Sequence, residues 1–173
     1  MIRLPGLPPR LPRWVPDRLG IPAGERVISW GCGPGADVTE VTYVVATTRA
    51  LYVQSTSERL PWHRISKATW DDPVLDLVVL DEAGHPAGLR RVRVDDAKDL
   101  PPAVRDRVTD SVVVSERVDL GGGRAAVMAA RRDSDTGDIR WSVLFDAGLD
   151  ARDPRLREAA DEALGRLRGS LGI

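Results

Sequence analysis

Cysteine, histidine and lysine are nearly missing from this 173-residue chain, and each shortage removes a kind of chemistry. Cys32 is the only cysteine, so an intrachain disulfide and any cysteine-rich zinc site are excluded. His63 and His85 are the only histidines. Neither has HExxH-type spacing, so hydrolytic metal chemistry has no support and no cofactor is implied. Aromatic residues reach only 5% and form no stacking motif, which argues against nucleic acid as a partner. The formal net charge of -1 gives no global field for nucleic acid or anionic lipid, so either would need a local patch. No apolar run approaches the ~20 residues of a membrane span. The opening "MIRLPGLPPRLPRWVPDRLGIP" has arginines but no apolar core. It is not expected to be a signal peptide, and a soluble, cytoplasmic protein is expected.

What is present has globular character, 42% hydrophobic and 29% charged. Such a length suits one domain able to bury roughly 70% of its unfolded surface. Nearly all basic residues are Arg, with Lys67 and Lys98 the exceptions, a bias resembling high-GC bacterial proteomes. Residues 1–23 form a proline-rich arm carrying Pro5, Pro8, Pro9, Pro12, Pro16 and Pro22. That spacing favours extended backbone and excludes a long helix. Leu4, Leu7, Leu11, Trp14 and Leu19 predict that the arm lies against the domain. A ligand for a proline-recognising partner is the alternative.

From Gly24 the pattern predicts strands at 25–31, 41–53, 64–70, 74–81 and 88–96, with the second split by a turn at Thr48-Arg49-Ala50. Asp71-Asp72-Pro73 is another turn. Six strands without an intervening helix imply an antiparallel meander. Pro101 and Pro102 open a helix over 101–111, with Val104, Val108 and Val112 recurring every four residues as one apolar stripe. Strands near 112–120, 124–132 and 139–146 follow, joined by Gly121-Gly122-Gly123 and "DSDTGD". The last segment has Asp153 as N-cap, Pro154 at the first helical position and Gly172 as stop. Leu156, Ala160, Ala163, Leu164, Leu167 and Leu171 form one stripe, so this amphipathic helix is expected to dock on a sheet.

"GERVISW" (24–30), "VVATTRALYV" (44–53) and "RLPWHRISKATWD" (59–71) resemble the opening of bacterial pleckstrin-homology-like (PH-like) domains. The matching residues are Gly24 to Val27, Thr47 to Tyr52, and Leu60, Pro61, Trp62 and Ile65. The resemblance implies an α+β fold, mainly antiparallel: a PH-like meander or barrel capped by the C-terminal amphipathic helix, with an extra helix near 101–111. On this view 24–173 is a single PH-like domain. The family has seven strands and one helix, whereas nine and two are expected here. Either the core is elaborated around 95–120, or a ββα unit at 121–173 is an addition. Phosphoinositide-binding members place Lys and Arg around the first hairpin loop. Here "GCGPGADVTE" (31–40) has no base and two acids, Asp37 and Glu40, against that mode.

"RLPWHRISKATWDD" (59–72) holds the candidate site. Strand alternation would put Arg64, Ser66, Ala68 and Trp70 on one face and His63, Ile65, Lys67 and Thr69 on the other. Arg59, His63 and Lys67 then form a basic edge competent for phosphate or carboxylate, and with Arg64 they are the expected ligand- or partner-binding residues. The competing expectation is a half-exposed strand whose Trp62 and Trp70 fill the core. In that case truncating either indole costs about 3–5 kcal/mol, and His63→Ala or Lys67→Ala about 0.5 kcal/mol at most. No nucleophile accompanies His63. Asp71, Asp72, Asp76 and Asp81 are spread over turns and both faces, as surface carboxylates are. "GCGPG" lacks phosphate-loop spacing, and "GGG" supplies positive φ. Arg90-Arg91-Val92-Arg93 and Arg131-Arg132 are each followed by acids, which again speaks against nucleic acid. The expected function is a non-enzymatic binding or scaffold module with an unknown protein partner, self-association remaining open. Two alternatives are weak association with anionic lipid through Arg59, Arg64 and Lys67, and an enzyme whose site is dispersed over residues such as His63, Asp76 and Arg140.

Overall fold

Short turns force neighbouring strands to pair, and each of the chain's three runs of strands closes as its own antiparallel sheet. The computed structural model describes residues 10–35 and 40–172, and Leu171 by its backbone alone. The first sheet has β1 (Val27–Pro34), β2 (Val41–Thr47), β3 (Ala50–Val53) and β4 (Glu58–Pro61), in that order. The second has β5 (Ile65–Asp71), β6 (Val74–Leu80) and β7 (Pro86–Arg93). The third has β8 (Val112–Gly121), β9 (Arg124–Arg132) and β10 (Ile139–Phe145), with β9 central. Helices α1 (Trp14–Arg18), α2 (Leu100–Asp110) and α3 (Pro154–Leu171) complete the α+β fold.

The expected meander is therefore divided, and no closed barrel forms among the described residues. A 3-10 turn at Trp62–Arg64, after Pro61, redirects the chain between the first two sheets, and α2 separates the second from the third. The described residues hold ten strands and three α-helices, not nine and two. β4 escapes periodicity because it has four residues, the first two charged.

The main core joins Val44, Leu51, Leu60 and Trp62 of the first sheet region to Ile65, Leu75, Leu77 and Val92 of the second. α2 closes this core with Leu100, Val104 and Val108; of the stripe expected from sequence Val104 and Val108 lie on the helix, while Val112 opens β8. The C-terminal helix α3, expected to cap the meander, closes a different core. Its Leu156, Ala160, Ala163 and Leu167 bury against Leu120, Ala126, Met128 and Val143 of the third sheet. The Asp153 carboxylate accepts from the Arg155 amide, and Gly172 ends the helix at φ 69°. The Leu171 side chain lies outside the described residues.

Residues 1–9, and with them Leu4, Pro5, Leu7, Pro8 and Pro9, lie outside the described residues, as does Asp37. From Arg10 onward the arm is not wholly extended, because α1 forms one short helical turn. Its anchor is Val15, fully buried with Val45, Ala50 and Tyr52, while Leu11 and Leu19 pack beside it. Trp14, expected against the domain, is half exposed and meets Tyr43 edge-on at 5.5 Å. The glycines of "GCG" permit a close approach. A side chain at Gly33 would overlap the Arg93 carbonyl, and one at Gly31 would meet Val94. Between them Cys32 exchanges backbone hydrogen bonds with Asp96 at 3.0 and 2.9 Å, which ties β1 to the chain beyond β7.

Candidate functional site: a polar cavity between the sheets

Trp62 is 2% exposed, and its indole Nε1 donates to the Thr47 carbonyl at 3.0 Å. The turn it anchors carries His63 and Arg64 out of the strand pattern. A register shift between Ile65 and Lys67 then resets the alternation. Ile65 consequently joins Ala68 and Trp70 on the core face, contrary to the expected grouping, while Lys67 and Thr69 are exposed.

Arg59 and His63 both turn toward the loop between β9 and β10. The Arg59 guanidinium forks onto Asp135, Nη1 to Oδ2 at 2.9 Å and Nη2 to Oδ1 at 2.7 Å. Its Nε donates to the Tyr52 hydroxyl at 3.0 Å. That hydroxyl and the Thr47 hydroxyl both donate to the buried Glu25 carboxylate. Hydrogen bonding to Asp135 raises the Arg59 pKa further, against the opposing effect of burial. His63 is mostly buried, not solvated as expected, with Nδ1 3.6 Å from Asp133 Oδ1. Burial pushes its pKa down; Asp133 opposes this, and Arg140 and Arg64 add to it. Burial pushes the Asp133 carboxyl up, but the amides of Asp135 and Thr136 and the charges of His63 and Arg140 hold it below its usual range.

Arg64 instead binds the β6–β7 hairpin, donating from Nε to the Leu80 carbonyl at 3.0 Å and pairing with Glu82 at 3.1 Å. Lys67 lies apart on β5. The edge expected to meet an outside ligand is thus largely occupied by the chain's own carboxylates.

His63 and Arg64 line a cavity of about 250 Å³ with Glu82, Arg131, Asp133 and Arg140, and with Trp141 and Arg168 toward α3. Of the dispersed trio, His63 and Arg140 meet here at Asp133. Asp76 does not, being forked to Arg91 at 2.8 and 2.9 Å. The Ser142 hydroxyl is engaged with the Ala129 carbonyl at 3.2 Å.

Arg131 is the residue that sequence reasoning missed. It is 4% exposed on β9. Nη1 donates to Ser111 Oγ at 3.0 Å and Nη2 to the Ser66 carbonyl at 3.1 Å, bracing α2 and β5. Burial alone lowers its pKa. The available signal was the run Ala125 to Ala130, which has no polar residue on either face and so marks a strand covered on both sides.

A second feature lies between β5 and α2. It is a groove of about 900 Å³ with Ala68, Trp70, Leu75, Pro101 and Pro102 among its apolar lining and Arg105, Asp106 and Arg107 among its charged lining. No family model, curated protein or solved structure matches the chain.

Proposed function

We propose that this protein is a non-enzymatic binding module built on a PH-like core, with a segment of a protein partner as its ligand. Four strands and three make up the seven that the resemblance implies, with α2, in place of the expected C-terminal helix, closing their core. On that reading β8–β10 and α3 are an added unit. The observation that carries the binding is the groove between β5 and α2. Its half-buried Trp70 offers the kind of aromatic anchor on which interface energy concentrates. Its volume matches ligand clefts of roughly 300–1,000 Å³.

A photoreactive residue replacing Thr69 should capture a partner in cells that the same residue at Gly122, on the far hairpin, does not. With that partner purified, Trp70→Ala should weaken binding at least about tenfold, as loss of an aromatic anchor does. Identical capture from both positions, or unchanged affinity in Trp70→Ala, would refute the reading.

A further inference from the structure

Two buried side-chain atoms among the described residues have no hydrogen-bond partner, His63 Nδ1 and Arg131 Nε. Both residues line the same cavity. Orphaned buried polar atoms are costly, so native proteins rarely keep them without use. Arg131 is also a guanidinium, always charged, and among the described residues no carboxylate lies within ion-pair distance of it. A buried charge without a counter-ion is a strong demand on the surroundings.

The carboxylates that line the cavity with it have other partners. Asp81 Oδ1 accepts from the amides of Ala83 and His85, both at 2.9 Å. Asp133 Oδ1 accepts from the Asp135 amide at 2.9 Å. Glu82 is 90% exposed beside Arg64. Arg140 Nε stands 3.7 Å from Asp133 Oδ2, outside hydrogen-bond reach. The lining therefore holds four guanidinium groups, from Arg64, Arg131, Arg140 and Arg168, and three carboxylates, of which Glu82 pairs with Arg64, Asp133 faces Arg140 and none pairs with Arg131.

We propose that this cavity binds a phosphate group. A carboxylate is matched by one planar guanidinium fork. Here the guanidinium groups come from the Trp62–Arg64 turn, β9, β10 and α3, an arrangement suited to a tetrahedral anion with oxygens on several sides. His63 adds an imidazole beside them. At about 250 Å³ the cavity falls below the roughly 300 Å³ at which drug-sized pockets begin. It accepts free phosphate or the terminal phosphate of a small ester, not an extended ligand. The site shares no lining residue with the Trp70 groove, so it stands or fails independently of the partner reading.

Calorimetric titration of the full chain with inorganic phosphate, at constant ionic strength set by chloride, tests this. Saturable binding at one site per chain is expected. Arg140→Gln should weaken it at least about tenfold, the loss of one charge-assisted hydrogen bond, and Arg131→Gln should abolish it. Arg131 braces the fold, so if its variant does not fold, Arg140→Gln and Arg64→Gln, at partly exposed positions, carry the test. No saturable heat up to about 10 mM phosphate, or unchanged affinity in Arg140→Gln, overturns the proposal. So does equal competition by acetate, which would make the site a carboxylate site. Vesicles containing phosphatidic acid form the other arm. Binding to them without binding of free phosphate also overturns it.

Discussion

His63 has a depressed pKa because burial disfavours imidazolium, and Asp133 at 3.6 Å offsets that loss only in part. An unfolded chain takes up a proton near the ordinary histidine value of about 6.5 before the folded chain does. Stability should therefore fall as pH drops below about 6.5 and level off below the folded pKa. Denaturation midpoints between about pH 8 and pH 5 should show this slope in the wild type and lose it in His63→Gln; a flat wild-type profile would contradict it. The tryptophans separate as their burial does. Trp62→Ala should cost about 3–5 kcal/mol, whereas half-buried Trp70→Ala should cost about 1–3 kcal/mol, both measured by urea unfolding. Gly84 is constrained twice, by φ 84° and by the Trp141 carbonyl, which a side chain would overlap. Gly84→Ala should cost at least the ~1–2 kcal/mol of a left-handed backbone, and an unchanged urea midpoint would show that the hairpin tip is free to move away from β10.

At the scale of elements, much was legible. α3 announces itself by Asp153, Pro154 and its leucine stripe, and α2 by Val104 and Val108, because capping and helical periodicity are local. Which sheet each helix closes was not legible, since both stripes are simply apolar and nothing in either names its partner. The site was less legible still. The register shift after Ile65 has no sequence signature, and Arg59 meets Asp135 across a span that no local period reports. The assignment of helices has a direct check. Leu156→Ala should cost about 2–5 kcal/mol and speed amide exchange first in β8–β10, while Val104→Ala should act first on β2–β7. Equal acceleration everywhere would mean that the two cores open as one.

Across the whole molecule, polar contacts join the two cores. The Arg132 amide donates to the Ser111 carbonyl at 2.8 Å and the Val143 amide to the Gly84 carbonyl at 3.1 Å. Ser134 Oγ donates to the Arg49 carbonyl, beside the Arg59 fork on Asp135. The fork is partly exposed, so a double-mutant cycle of Arg59→Ala and Asp135→Ala should give a coupling of about 0.5–1 kcal/mol. No measurable coupling would mean that the third sheet is held by its other contacts alone.

Chain order gives this bracket a consequence during synthesis. The main core is complete in sequence at Val108, but the fork on Arg59 and the carboxylate beside His63 arrive only with Asp135 and Asp133. At about 5–20 residues per second, residues 111–135 take about one to five seconds to add. In that interval Arg59 keeps only Tyr52 and the more distant Glu25 as partners, and the edge stays open to water until the loop between β9 and β10 closes over it.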